Sequence, residues 1–233
     1  MSSVTNEVYE KLRADLLTCR LAPGQKLKIE EMCKQLSAGS SSVREALSRL
    51  SSEGLVVMEP QRGFRVAPLE MDELLDLTRV RSEIEALCIR DAIANGGLEW
   101  EGQIVATCHR LLHTPHRAAG DEKRYEPTFI LAHNAFHAAV VSACTSPWLL
   151  KLRELLYDRQ ERYRFLSLPL ATYPRDLNKE HSEIAEAVLA RDADLAVARM
   201  TSHIKATAEI LMGAAEQQLG AQKPKRARKL ASA

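Results

Sequence analysis

Nothing in these 233 residues approaches the roughly 20 consecutive apolar positions that a membrane-crossing helix needs. The N-terminus also lacks the charged-then-apolar layout of a signal peptide. Both absences predict a cytoplasmic product with no membrane partner. Cysteine is sparse: Cys19, Cys33, Cys88, Cys108 and Cys144 are odd in number, far apart and form no Cys-x-x-Cys pair. That pattern argues against a disulfide framework and a thiolate zinc site, and for small buried apolar side chains. The chain also has no large excess of charge, with 32 Lys and Arg against 31 Asp and Glu. The charge is unevenly spread, however. Residues 1–67 carry ten basic against eight acidic side chains, residues 218–233 carry five basic and no acidic ones, and the middle is acidic by six. Basic ends around an acidic centre suit a protein that touches phosphate with its N-terminal part alone.

What is present divides at Pro68. Before it, Val8, Leu12, Leu16 and Leu17 recur at helical spacing behind Thr5 as a cap, and Pro23-Gly24 marks a turn. A second helix is expected from Lys28 to Leu36, with Ile29, Met32, Cys33 and Leu36 inward. In the third, Val43, Ala46, Leu47 and Leu50 form a buried stripe. Gly54 stops it, and two strands, Leu55 to Met58 and Phe64 to Ala67, flank the hairpin Glu59-Pro60-Gln61-Arg62-Gly63. After Pro68 no convincing strand appears. The periodicity predicts helices over 71–94, 99–113, 124–144, 148–167 (ended by Pro169), 174–190 and 192–216 (capped by Asp192), at lengths that suit an antiparallel bundle. From Gly220 the composition turns to Lys, Arg, Ala and Ser with no apolar period, so a disordered tail is expected.

The N-terminal pattern is that of a winged helix-turn-helix, which reads duplex DNA with the open face of one helix. Ser42, Arg44, Glu45, Ser48 and Arg49 lie on that face. Arginine is the side chain that most often pairs bidentately with guanine, so Arg44 and Arg49 are candidates for one base contact and one phosphate contact. Ser40, Ser41 and Ser42 begin the helix, where hydroxyls and backbone N–H groups favour a phosphate; for Ser40, simple capping is the alternative. Arg62 at the hairpin tip, with Gly63 supplying backbone freedom, suits a minor groove.

Pro23-Gly24-x-x-Leu27, Val43-Arg44-Glu45-Ala46-Leu47-x-x-Leu50-x-x-Glu53-Gly54-Leu55 and Arg62-Gly63-x-x-Val66 resemble the DNA-binding domain of the GntR family of bacterial transcription regulators. The chain departs from the family at one place. Gly39-Ser40-Ser41-Ser42 stands where Ser-Arg-x-Pro is usual, so an arginine that touches DNA in the family is absent at Ser40.

All seven histidines follow residue 100. His109 with His113 and His133 with His137 have the i, i+4 spacing that shares one helix face, which by itself fits surface or core histidines as well as ligands. His181 and His203 flank the Arg191-Asp192-Ala193-Asp194 break and so belong to neighbouring antiparallel helices. Phe136-His137, His181-x-x-Ile184 and Met200-x-x-His203 resemble the all-helical FCD effector domain of one GntR branch. That resemblance implies a divalent metal on His137, His181 and His203, with His133 at the position where the branch has an Asp. Four neutral imidazoles would leave the ion its full +2 charge and favour zinc, nickel or copper over magnesium or calcium, with zinc or nickel the first choices. Such a site attracts an anion. By the same resemblance Arg81 in Arg81-x-x-Ile84-Glu85 faces the ligand cavity, where its fork suits a carboxylate; a salt bridge to Glu85 is its alternative. Arg162, Tyr163 and Arg164 are further cavity candidates, and a solvated helix face accounts for them equally well. Gly96-Gly97-x-Glu99-Trp100-Glu101, Ala135-Phe136-His137 and Arg162-Tyr163-Arg164-Phe165 are similar to a carbon-starvation-induced, glutarate-responsive subgroup. That likeness implies a small dicarboxylate.

The expected protein is mainly α. A winged helix-turn-helix occupies 1–68, a linker 69–75, an all-helical effector and dimerisation domain 76–217, and a basic disordered tail 218–233. As a whole it reads as a homodimeric repressor on a palindromic double-stranded DNA operator, responsive to a small carboxylate beside a metal ion. Two rivals are a metal sensor, in which the ion is the signal, and a histidine-ligated metalloenzyme. No Asp or Glu near the four histidines forms a recognisable catalytic-base motif, which speaks against the enzyme.

Overall fold

Apolar residues at helical spacing build the N-terminal head around α1 (Val4–Leu17), α2 (Ile29–Leu36) and α3 (Ser40–Ser52). The computed structural model describes residues 4–167 and 175–222. Val8, Leu12 and Leu16 of α1 pack on Val43, Ala46, Leu47 and Leu50 of α3, so the expected stripe is the core of the head. In α2 only Met32 is fully buried, while Ile29, Cys33 and Leu36 lie at its margin. Thr5 lies inside α1 rather than capping it. The cap of α3 is Gly39, in extended conformation, and Ser40 is the first helical residue; the capping alternative for Ser40 therefore fails.

The wing has three strands, one more than expected. β1 (Lys26–Leu27), β2 (Val56–Glu59) and β3 (Gly63–Val66) form an antiparallel sheet in the order β1-β3-β2, with Leu27 and Met58 both opposite Phe64. A two-residue strand carries no readable period, which is why β1 was invisible in the sequence. The hairpin turns through Gln61 and Gly63, whose φ angles are 61° and 91°. Gly63 thus supplies the freedom ascribed to it.

The second half contains α4 (Met71–Asn95), α5 (Leu98–Leu112), β4 (Arg117–Ala118), β5 (Asp121–Tyr125), α6 (Pro127–Val141), α7 (Pro147–Ser167), α8 (Leu177–Leu189) and α9 (Ala193–Gln222). Cys88, Ile89, Trp100, Ile104, Phe129, Phe136, Val140, Ile184, Val188, Met200 and Ile204 make its main core. Gly96 permits a close approach there, since a Cβ would stand 2.1 Å from the Trp100 ring. The expectation of a strand-free half is corrected by the β4–β5 ribbon. The helix expected from 124 instead begins at Pro127: proline has no N–H to donate and forces Glu126 into extended backbone, with ψ at 130°. Similarly α8 begins at Leu177, because Asp176 caps it by accepting the Lys179 amide. Asp192 does cap α9, accepting from the Leu195 amide at 3.0 Å. α9 continues to Gln222, past Gly220, where disorder was expected; the expected end at Pro169 and the tail from 223 lie outside the described residues. Among the described residues, no helix is long and apolar enough to cross a membrane.

α4 and α7 join the two halves. Arg162 of α7 is 1% exposed and donates to the Ala67 carbonyl just before α4. Tyr163 shares its hydroxyl with the Glu70 backbone and the Glu73 carboxylate. Asp158 pairs with Arg13 of α1, and Arg159 reaches Glu73 at 3.2 Å. Gly54 makes room for this last arginine, since a Cβ there would overlap its guanidinium.

Candidate functional site

In the head, the first turn of α3 presents Ser40 and Ser41 exposed and Ser42 half-buried. Arg44 faces a cleft of about 510 Å³ shared with the wing, lined also by Lys26, Lys28, Arg62 and Gly63. The structure therefore brings Arg44 and Arg62 to one basic surface. Arg49 is exposed but stands apart from that cleft, its guanidinium 4.0 Å from the Tyr9 ring centre. Burial and the Glu53 carboxylate, 2.7 Å from its hydroxyl, push the Tyr9 phenol up to about 12.

The second site lies inside the bundle. His133 and His137 project from α6, His181 from α8 and His203 from α9, and all four are buried. One ring nitrogen from each lies within 4.8 Å of the other three. Nitrogens bound at about 2.1 Å to one tetrahedral ion would be roughly 3.4 Å apart, so a modest contraction closes the set. Burial lowers all four pKa values, and neighbouring arginines lower each of them further; His203 falls to about 4 although Glu180 pulls the other way. Neutral imidazoles at neutral pH keep the lone pairs that a cation needs.

Two of the rings are oriented by partners. His133 Nδ1 is 3.1 Å from the Tyr157 hydroxyl, which in turn donates to Asn134 Oδ1 at 2.8 Å. Because that hydroxyl proton is already committed, Nδ1 carries the hydrogen and Nε2 is left as acceptor. His203 Nδ1 lies 2.7 Å from Glu180 Oε2, which again leaves Nε2. Burial alone would raise the Glu180 pKa, but hydrogen bonds from His203 and Arg175 outweigh it and bring it to about 2. His137 and His181 have both ring nitrogens buried without a hydrogen-bond partner. A buried polar atom left unpaired costs on the order of 1–3 kcal/mol, so these nitrogens are in the state expected of unsatisfied ligands. The donor set fits a divalent metal. His109 and His113, by contrast, lie with their ring centres 4.1 Å apart and tilted by 35° at the exposed C-terminal end of α5.

Four arginines surround the histidines, and three have a carboxylate. Arg153 Nε bridges both Glu85 oxygens at 3.1 and 3.2 Å, Arg164 holds Glu161 at 2.7 and 2.5 Å, and Arg175 holds Glu180 at 2.7 Å through two nitrogens. Arg81 has none. It is 6% exposed, donates to Gln160 Oε1 at 2.8 Å, lies 4.7 Å from the Tyr157 ring centre, and has an unpartnered Nε. The alternative reading of Arg81, a salt bridge to Glu85, does not form, because Glu85 is taken by Arg153. Burial lowers the Arg81 pKa, and its charge in turn depresses His137 and His203, which places it beside the cluster.

Of the three further candidates on α7, only Arg164 is felt at the histidine cluster, where its charge depresses His133. Arg162 and Tyr163 face the head and linker instead. Sequence reasoning missed Tyr157, Gln160 and Glu161. Their spacing with Arg164 (i, i+3, i+4, i+7) is a readable signal, since it puts an unbroken polar stripe where a bundle helix should bury apolar side chains. Glu180 beside His181 carried no such signal.

Residues 4–66 match the family of bacterial regulatory proteins named gntR, and residues 76–206 match the FCD domain. The HTH-type transcriptional repressor GlaR of Escherichia coli (strain K12) is 36% identical over 208 residues, which cover 88% of this chain and 94% of that protein. The HTH-type transcriptional regulator BphR of Paraburkholderia xenovorans (strain LB400) is 34% identical over 209 residues, 90% of this chain and 85% of its own. The solved structure of E. coli McbR/YncC overlays 94% of this chain and 100% of its own with a TM-score of 0.73 at 23% identity. That last likeness establishes the fold.

Proposed function

Because the chain belongs to the GntR family of bacterial regulatory proteins and carries the family's FCD domain, we propose that it is a repressor that a small carboxylate releases from its operator. It is a DNA-binding transcriptional regulator and not an enzyme. In this reading residues 1–68 are the DNA head, 69–75 the linker, 76–217 the effector and dimerisation domain, and 218–233 a basic tail. A homodimer sets two heads on a palindromic site. Arg44 and Arg49 contact DNA from α3, Ser40, Ser41 and Ser42 hold phosphate at its start, and Arg62 with Gly63 enters the minor groove.

His133, His137, His181 and His203 hold a divalent ion, zinc or nickel by the softness of four nitrogen donors. When bound, the ion supplies a +2 charge that no first-sphere carboxylate reduces. The observation that carries the effector assignment is Arg81: it alone of the four arginines around the histidines lacks a carboxylate, and its guanidinium fork has an unfilled buried nitrogen. A carboxylate ligand supplies the missing partner. Release requires that the effector bind two placements of the heads with different affinity. Helix α7 is the connection, with Tyr157, Gln160, Glu161 and Arg164 turned to the cavity and Asp158, Arg159, Arg162 and Tyr163 holding the head and linker.

A thermal-shift screen of small mono- and dicarboxylates, with and without chelator, tests the reading. Stabilisation by a dicarboxylate that disappears on demetallation, together with loss of operator binding in a gel shift, is the expected result. A protein whose operator affinity follows the metal alone, at any carboxylate concentration, would be a metal sensor.

A further inference from the structure

The four histidines are held unequally. His137 and His181 have no partner, His133 leans on a neutral tyrosine hydroxyl, and only His203 hydrogen-bonds a carboxylate. That carboxylate is itself fixed from behind. Arg175 donates Nε to Glu180 Oε1 and Nη2 to Glu180 Oε2, both at 2.7 Å; the same Nη2 reaches the His203 carbonyl at 2.8 Å and stands 3.2 Å from His203 Nδ1, farther than the 2.7 Å that separates Nδ1 from the Glu180 carboxylate that accepts its hydrogen bond. Its Nη1 lies 3.2 Å from the Thr207 hydroxyl, one turn further along α9. Because Glu180 and His181 are adjacent on α8, one short stretch sends a histidine into the cluster and a carboxylate to the flank of the histidine opposite.

We infer that Glu180 is a positioning residue for the metal site: it fixes the tautomer and ring plane of His203 and makes it the strongest donor of the four, with Arg175 locking Glu180 in place. The inference rests on the four-histidine reading above. A carboxylate that accepts Nδ1–H leaves Nε2 as the only lone pair and raises its basicity, and loss of such a partner typically weakens metal binding about 10- to 100-fold. The Tyr157 hydroxyl on His133 supplies orientation but no charge. The site is therefore anchored at the α9 side, where His203 sits, and completed by the two histidines that nothing else holds.

The test is zinc affinity of the full chain, measured by competition with a chromophoric chelator, together with the visible spectrum of the cobalt-loaded protein. Glu180→Gln keeps the length and an acceptor oxygen but removes the charge, and it should lose about 10- to 100-fold in zinc affinity with an altered cobalt spectrum. Glu180→Asp, which restores the charge, should recover part of that loss. Glu183→Gln, one turn on and paired to Arg199 rather than a histidine, should leave zinc affinity unchanged. A Glu180→Gln protein that melts lower without metal yet binds zinc and colours with cobalt like the wild type would overturn the inference, since that is the signature of a purely structural ion pair. Wild-type protein that binds no zinc or cobalt would instead overturn the four-histidine reading on which it stands.

Discussion

Replacing Arg81 by methionine should separate stability from response, in opposite directions. In the absence of effector the substitution removes a buried cation with no carboxylate, one hydrogen bond to Gln160 and a contact with the Tyr157 ring, and it keeps most of the apolar packing. The hydrogen bond to a charged group is worth about 1.5–3 kcal/mol and the ring contact about 0.5–2 kcal/mol. The relieved desolvation is several kcal/mol, and buried charges replaced by apolar side chains of similar volume are commonly neutral to stabilising. The metal-loaded variant should thus melt at or slightly above the wild type. With effector the sign reverses. At an effector concentration about 100 times Kd, ligation stabilises the wild type by about 2.7 kcal/mol. For a chain of this size that is roughly a 5–11 °C rise in Tm. Loss of the arginine should cost about 2–5 kcal/mol of carboxylate binding. At the same concentration the variant is then about three-quarters saturated for the smaller loss and nearly empty for the larger, and the rise shrinks to roughly 0–3 °C. Differential scanning fluorimetry with and without dicarboxylate reads both effects. A variant that melts several degrees lower without ligand and keeps the full rise would show Arg81 to be a structural residue, and the effector assignment would fall.

Arg44→Ala should weaken operator binding by about 1–3 kcal/mol with the loss concentrated at one base pair, whereas Arg62→Ala should weaken binding evenly across sequences; gel shifts on single-base operator variants separate the two, and the reverse pattern would exchange their roles. His133→Asp should keep the metal but weaken the carboxylate, because one negative charge about 5 Å away at an effective dielectric near 20 opposes it by roughly 3 kcal/mol; calorimetry showing unchanged carboxylate affinity would refute the charge argument. The metal-free protein should lose stability as pH falls below about 6.5. Its four histidines are held neutral when folded, with His203 at about 4, while the unfolded chain protonates them near 6.5. Each depressed histidine contributes a slope of up to about 1.4 kcal/mol per pH unit in that window, and a urea midpoint that is flat between pH 7.5 and 5.5 would contradict it.

The head was readable because its signals are local and agree with one another. The stripe of Val43, Ala46, Leu47 and Leu50, the stop at Gly54 and the turn at Gly63 each act within a few residues, and each is where the pattern put it. The β4–β5 ribbon was not readable. Arg117-Ala118 and Asp121–Tyr125 show little apolar alternation, and their pairing is decided by the chain reversal at Gly120, with φ at 80°. Periodicity placed each helix of the bundle but missed some starts, since a cap such as Asp176 or a proline such as Pro127 overrides an apolar run by removing or satisfying single backbone groups.

The histidine cluster divides along the same line. Which histidines meet was implied by the likeness to the FCD domain, whereas helix phase alone left His109 with His113 as open as His133 with His137. Which arginine is left without a counter-charge is a property of tertiary pairing: the carboxylate one helical turn from Arg81, Glu85, is claimed by Arg153 from 68 positions away. A local rule assigns Glu85 to Arg81, and the fold reassigns it. α7 is where this matters most. Its side toward the histidines carries Arg153, Tyr157, Gln160, Glu161 and Arg164, and its other side carries Asp158, Arg159, Arg162 and Tyr163, so its C-terminal half is polar and yet largely buried. Apolar side chains on either side would pack as well and stabilise more, since every buried ion pair there bears a desolvation cost. A rigid element with specific polar partners on both faces has few alternative positions, and each is defined by which partners it keeps. In the proposed reading, a carboxylate at Arg81 changes the balance on one face of α7, and the partners on its other face, Arg13, Ala67, Glu70 and Glu73, are where that change reaches the head and linker.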